Sequence, residues 1–241
     1  MMFVTSDVDL FRLFFECVFD ETDIVQLECT PEKMSVSVLS RSHTCFYTVE
    51  FSREFFDEYD VDNVEIVTLD LDSLFKILKT CKGKEAMELS TGGYEVTIIL
   101  EDDVNRRVFE IMQVDVEYAP ANPPMLDNDA VAVMGFGSLK QTLTDLDIFK
   151  TGSVHVIVGD TLKFKTDELS LVDYNNTIAH EYISGVGDSI YSTEFLKKIL
   201  YFNKLNDEVK FELGADVPLV WSVESSGIEV RGLIAPKVGV E

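Results

Sequence analysis

The sequence predicts an α+β fold of two similar domains, each built from antiparallel sheets with helices on one side. Three observations predict it. Period-two strand patterns fill most of the 241 residues, four segments instead carry a helical period with one apolar face, and a helix-then-strand unit occurs twice, about half a chain apart. The four helical segments, 7–20, 70–82, 137–149 and 192–204, are each preceded by or open on Ser, Asp, Thr or Gly, all acceptable N-caps.

Side-chain alternation marks strands in MSVSVLS (34–40), CFYTVEF (45–51), EVTIIL (95–100), RRVFEIMQV (106–114), SVHVIV (153–158) and EVKFEL (208–213). STGGY, GDT and ESSG supply the turn chemistry between neighbours. In the second helical segment Leu71, Leu74, Phe75, Ile77, Leu78 and Cys81 share one face and Lys76 and Lys79 the other. In the fourth, Phe195, Leu196, Ile199, Leu200 and Phe202 lie opposite Lys197, Lys198, Tyr201 and Lys204. Such helices cover a sheet and turn lysine outward.

SLFKILK followed by EAMELSTGGYEVTI parallels EFLKKIL followed by DEVKFELGADVPLVWSV, a displacement of 122 residues when Ser73 is set against Phe195. Pro120, Pro123 and Pro124 in EYAPANPPMLD favour an extended connector. The expected organisation is a first domain at 1–116, a strap at 117–127 and a second domain at 128–241.

A hydrophobic fraction of 46% suffices for a sizeable core. No apolar run approaches the ~18 residues of a membrane span. The opening MMFVTSDVDL lacks a basic region and a cleavage site, so the expectation is an intracellular protein without a membrane partner. Cys17, Cys29, Cys45 and Cys81 have no CxxC spacing and fall among apolar residues, which reads as buried reduced thiols. His43, His155 and His180 lack metal-ligand spacing, and no metal or cofactor is expected.

The net charge is -24 and the isoelectric point near 4.3, which argues against indiscriminate binding to DNA or anionic membranes. Yet the charge is unevenly placed. Counted generously as 7–20, 70–84, 137–149 and 192–206, the helical segments hold nine basic and nine acidic side chains, so the whole excess lies elsewhere. Lysine's helix propensity accounts for part of this. A second account is two surfaces facing different environments.

Residues 39–62, LSRSHTCFYTVEFSREFFDEYDVD, resemble the strand, loop and F-D-x-Y segment of the sliding clamps of the proliferating-cell nuclear antigen family. SLFKILK resembles the family's second helix, GADVPLV its late domain-two turn and LIAPKV its closing tail. These matches fall in order across nearly the whole chain. The resemblance implies the DNA clamp fold: a homotrimeric ring of two-domain subunits with inner helices, a non-catalytic processivity factor for replication and repair. Duplex DNA would pass through without base readout. A polymerase, clamp loader, nuclease or ligase would be tethered through a short peptide motif. Subunits would join by strand pairing, VFEIMQV (108–114) against TIAHEYI (177–183).

Carried over by position, the resemblance implies DNA-facing roles for Arg12, Lys76, Lys79, Lys197 and Lys204. Lys82, Lys84, Lys140 and Lys198 join them by local position. Loose phosphate contacts suit sliding, since they fix no register. The first helix carries Asp9, Glu16 and Asp20 beside Arg12, and Gln141 and Thr144 stand where relatives often have arginine, which implies a lighter hold. The partner-peptide positions are Leu39, His43, Thr44 and Phe46, then Pro124 and Met125, then Pro218, and finally Ile234, Ala235 and Pro236. Location would be the cytoplasm or nucleoid of an archaeon, or a eukaryotic nucleus.

Catalytic readings have little support. GFGSLK (135–140) lacks the full spacing and third glycine of phosphate loops, and DEYDVD (57–62) lacks calcium-loop spacing. No nucleophile with a base and an orienting group is evident. Two alternatives stay open: an acidic interaction protein that mimics DNA, and one subunit of a heterotrimeric clamp.

Overall fold

Alternating buried and exposed side chains become antiparallel strands in a computed structural model that describes residues 1–116, 126, 128–166 and 172–237. In chain order the elements are β1 (Met2–Thr5), α1 (Val8–Val18), β2 (Ile24–Cys29), β3 (Lys33–Leu39), β4 (Cys45–Ser52), β5 (Glu58–Asp60), β6 (Glu65–Asp70), α2 (Leu71–Thr80), β7 (Ala86–Gly92), β8 (Glu95–Glu101) and β9 (Arg106–Met112). There follow β10 (Ala130–Gly135), α3 (Phe136–Ile148), β11 (Ser153–Val158), β12 (Leu162–Thr166), β13 (Asn175–Ile178), β14 (Tyr182–Ser184), β15 (Gly187–Ser192), α4 (Thr193–Lys198), β16 (Glu208–Leu213), β17 (Leu219–Ser225) and β18 (Ile228–Ile234).

The chain forms two compact units. The first comprises Met1–Arg41, Tyr47–Asn122 and Glu224–Val230, and the second Ser42–Phe46, Pro123–Val223 and Arg231–Glu241. Each unit thus includes a short segment from the other half of the sequence, an exchange that a division at 117–127 does not contain.

In the first unit, five antiparallel strands run β5-β1-β7-β8-β9, with Phe3 opposite Leu89 and Ile98 opposite Phe109. A second group runs β6-β2-β3-β4. The core between them is aromatic: Phe3 and Phe56 lie 4.8 Å apart, and Phe11 and Phe51 5.1 Å, within the range where ring edges and faces attract. Gly227 adopts φ +76 beside Phe55 and Ser52, where its backbone carbonyl receives the Ser52 N–H.

In the second unit, four strands run β13-β12-β11-β15, and another group runs β14-β10-β16-β17-β18. Trp221, Phe202, Phe211, Tyr191 and Phe164 are fully buried there. Gly232 exists to admit Trp221: a Cβ at that position would meet three indole ring atoms at 2.4–2.5 Å.

The expected strands form with ends shifted by no more than two residues, except in one place. The segment 177–183 is not one strand, because β13 ends at Ile178 and pairs with β12, whereas β14 begins at Tyr182 and pairs with β10 in another sheet. Of that segment only β13 lies at an edge of the four-stranded sheet, whose other edge is β15; the edges of the five-stranded sheet are β5 and β9.

Helix ends also differ from expectation. Asp70 caps α2 by accepting the Ser73 N–H at 2.8 Å, and hydrogen bonds from Ser73 hold its carboxyl below the usual range. The helix stops at Thr80, so Lys82 and Lys84 occupy the turn that follows, where Gly83 adopts φ +72. Glu85, buried, closes that turn by accepting the Lys82 N–H at 2.8 Å, and both its oxygens accept from Arg107. These bonds, the Lys82 amide first, hold its carboxyl low. The fourth helix is α-helical for six residues and then tightens into a 3-10 turn over Ile199–Phe202. Its buried residues Leu196, Ile199 and Phe202 are spaced by three, the repeat that a 3-10 helix aligns on one side.

All four cysteines are buried thiols, and none forms a disulfide. Burial pushes the Cys29 thiol up to about 12, the reverse of what a reactive cysteine needs. Among the described residues no helix is long and apolar enough to cross a membrane.

Candidate nucleic-acid interface

The amphipathic period of α2 buries Leu71, Leu74, Phe75, Ile77 and Leu78 and leaves Lys76 exposed, with Lys79 on the far end of the same helix. Lys76 Nζ lies 2.5 Å from Asp72 Oδ2, one helical turn back, and that hydrogen bond holds the ammonium above the usual lysine range. Lys79 takes no carboxylate among the described residues. It lies over the Phe75 ring at 4.2 Å and the Phe19 ring at 5.7 Å, a cation–π seat that steadies the stem and leaves the ammonium open to an anion.

Arg12 on α1 is half-buried. It donates to Asp9 at 2.8 Å and to the Leu78 carbonyl at 3.4 Å, so it joins α1 to the negative end of α2. Lys82 and Lys84 are exposed beyond that end. A cleft of about 310 Å³ beside the start of α2 is lined by Phe19, Asp20, Thr22, Asp23, Arg41, Asp70 and Asp72, and so shares Asp72 with Lys76 and Phe19 with Lys79. Its carboxylates make it hostile to phosphate, and Arg41 is engaged by Asp23.

In the second unit α3 and α4 pack together. Lys140 and Lys204 are exposed, Lys197 and Lys198 half-buried. Lys197 forms an ion pair with Asp147 of α3. Gln141 and Thr144 do not face outward unpartnered: Gln141 donates to Asp145 at 2.8 Å, and the Thr144 hydroxyl donates to the Lys140 carbonyl at 2.7 Å. Asp145 also accepts the Tyr174 hydroxyl at 3.0 Å.

The nine predicted cations therefore fall into two sets, five in the first unit and four in the second. In both, lysines stand on helices whose other face is core. Arg12, Lys76 and Lys197 are each met by an aspartate, and the pattern of apolar faces gives no hint of that pairing. Asp9 and Asp72 are detectable from spacing, since they stand three and four residues before their partners. Asp147 is not, being 50 residues from Lys197.

Of the partner-peptide positions, Pro124 and Met125 lie outside the described residues. Thr44, Pro218, Ala235 and Pro236 of the second unit are half-exposed, and His43 is exposed with φ 57. Thr44 and Ala235 are neighbours, the Ala235 N–H donating to the Thr44 carbonyl at 2.8 Å. The tail is pinned beyond them, with Lys237 N–H on the Ile190 carbonyl at 2.7 Å and Lys237 Nζ on that of Gly152 at 3.0 Å. Tyr191 similarly holds the carbonyl of Val217, next to Pro218, at 2.9 Å. Phe46 and Ile234 do not reach the surface: both are buried and support the strands from beneath. Leu39 is exposed at the end of β3 in the first unit.

The family described as Proliferating cell nuclear antigen, N-terminal domain, matches residues 4–119. A protein of Methanothermobacter thermautotrophicus named DNA polymerase sliding clamp is 29% identical over 98% of this chain and 97% of its own. The fold matches that of a chain in the PCNA2-PCNA3 complex of Sulfolobus tokodaii, with a TM-score of 0.88, 19% identity and coverage of 98% of this chain and 99% of that one. PCNA of Thermococcus kodakaraensis gives a TM-score of 0.88 at 20% identity, over 98% and 99%.

Proposed function

Because the chain belongs to the proliferating cell nuclear antigen family and is a DNA polymerase sliding clamp, we propose that three copies close into a ring around duplex DNA with the lysine-bearing helix faces of both units turned to the phosphates. The observation that carries this reading is the recurrence of one arrangement: α2 in the first unit and α4 in the second each bury an apolar face and present lysine opposite it. A duplex held this way meets ammonium groups through its phosphates without base-edge contacts, which permits sliding. The acidic remainder of the surface repels DNA from everywhere else. The chain acts without catalysis of its own, inside the cell where its substrate duplex is.

Ring closure would cover the open strand edges β9 and β13, a liability that symmetric assembly removes. The test joins mass to topology. Native mass spectrometry is expected to give about three times the 27.2 kDa chain mass, and loaded rings are expected to stay on closed circular duplex and slip from it once it is cut. Particles that remain monomeric and leave circular and linear DNA equally fast would overturn the proposal. A chain that closes only with a second, different clamp chain would instead make it one member of a heteromeric ring; the structural neighbour from Sulfolobus tokodaii is itself named as a PCNA2-PCNA3 complex.

For the partner peptide we place the anchor around Thr44, Pro218, Ala235 and Pro236, where the closing tail is held rigid by its own hydrogen bonds. The peptides would belong to polymerase, clamp loader, nuclease and ligase, with aliphatic and aromatic anchors. Pro236→Ala is expected to weaken binding of a peptide carrying a glutamine, an aliphatic residue and two adjacent aromatics by about 1–2 kcal/mol in calorimetry. Unchanged affinity would move the groove elsewhere.

A further inference from the structure

We propose that Asp9, Asp72 and Asp147 set how tightly the clamp holds its duplex, each by occupying a cation that would otherwise take a phosphate. The inference rests on the DNA-facing reading of the helices. Three of the cations assigned to DNA are met by aspartates: Arg12 by Asp9, Lys76 by Asp72 and Lys197 by Asp147. The pairing recurs on separate elements, within α1, within α2, and between α3 and α4.

Stability does not explain it. The aspartate side chains are 54%, 52% and 66% exposed, and ion pairs that open to solvent contribute little to folding. Their effect on an arriving polyanion is larger. A lysine already compensated by a carboxylate brings no net charge to the duplex, so fewer counterions leave the DNA when it approaches. To take a phosphate, the cation must first give up its aspartate, an exchange of one anion for another. Lys79, seated on Phe75 and Phe19, and the exposed Lys204 carry no such carboxylate among the described residues and provide the uncompensated attraction. The clamp then combines permanent contacts with switchable ones, and its hold is weaker than its lysine count implies.

The experiment replaces the three aspartates by asparagine in the full chain, which removes charge while leaving an oxygen to accept from each cation. Rings of the wild type and of Asp9→Asn/Asp72→Asn/Asp147→Asn are loaded on closed circular duplex, and their lifetimes are followed as salt is raised. The variant is expected to stay about tenfold longer near 0.2 M salt, with the slope of log lifetime against log salt steeper by roughly 1–3, since each phosphate newly neutralised adds about 0.9. If the triple variant folds poorly, Asp72→Asn alone, which frees one Lys76 in each of the three copies, is expected to steepen the slope by up to about 2.7, about 0.9 for each phosphate neutralised. In a Lys76→Ala background that single change is expected to lose its effect on the slope, because no cation remains for it to release.

Equal lifetimes and slopes for variant and wild type, with the wild type retained on circular DNA, overturn this inference and leave the clamp reading standing. A wild type that is not retained on circular DNA at all overturns both.

Discussion

Alanine in place of Lys76, Lys79, Lys197 and Lys204 is expected to release the ring from closed circular duplex within the time the wild type is retained, and to flatten its salt dependence. Four positive charges leave each chain, and each phosphate left without its cation lowers the slope of log affinity against log salt by about 0.9. Removal of Lys76 and Lys197 also leaves Asp72 and Asp147 uncompensated, so the helix faces turn from near neutral to repulsive. The fold is expected to survive. Lys76 sits in an exposed pair within one helix, which solvent screens and which contributes little to folding, and the Lys79 cation–π seat on Phe75 is worth roughly 0.5–1 kcal/mol. Binding of the partner peptide should not change, because no residue of the proposed anchor is altered. A variant that folds and assembles yet is retained with the wild-type salt slope would show these lysines to be a solvated face and nothing more.

Gly232→Val is expected to be the most destabilising single substitution in the second unit. A Cβ at Gly232 would lie 2.4 Å from indole atoms of Trp221, far inside van der Waals range, and Trp221 is fully enclosed. Its neighbour Phe202, 5.4 Å away by ring centroids and equally buried, blocks the obvious retreat. Overpacking in such cores typically costs 1–3 kcal/mol, and two further methyl groups beyond the Cβ place this change at about 3 kcal/mol or more. For a chain of this size that corresponds to a fall in midpoint of roughly 6–12 °C in scanning calorimetry. Gly232→Ala should lie between wild type and Gly232→Val, and pairing it with Trp221→Leu should cost less than the sum of the separate changes, since the smaller side chain vacates the space the methyl needs. A midpoint within about a degree of wild type for Gly232→Val would mean that the strand around it shifts freely, contrary to close packing.

Neither result follows from pattern alone. Strand alternation, the apolar faces of α1, α2 and α3, and the outward position of Lys76 and Lys79 are matters of period, legible because 2 and 3.6 residues per repeat set which side chains share a face. The same periodicity reaches three or four residues, which is why the pairs Asp9–Arg12 and Asp72–Lys76 are open to reading. It does not say that Gly232 must lie against Trp221, eleven positions earlier on a neighbouring strand.

By itself the sequence determined the class of fold, its twofold repetition, the helix faces that carry lysine and the family resemblance. The tertiary structure decided where the fourth helix tightens, because buried Leu196, Ile199 and Phe202 follow a spacing of three that packing rewards over the α-helical period. It divided 177–183 between two sheets, since strand partners are chosen by whichever edge is free. It put Phe46 and Ile234 in the core, where an apolar residue of a strand goes when its face turns inward. And it brought Asp147 to Lys197 across 50 residues, a meeting set by helix packing between α3 and α4. Local periods are encoded residue by residue, whereas approaches at long separation depend on how every intervening element packs, and only the folded chain resolves that.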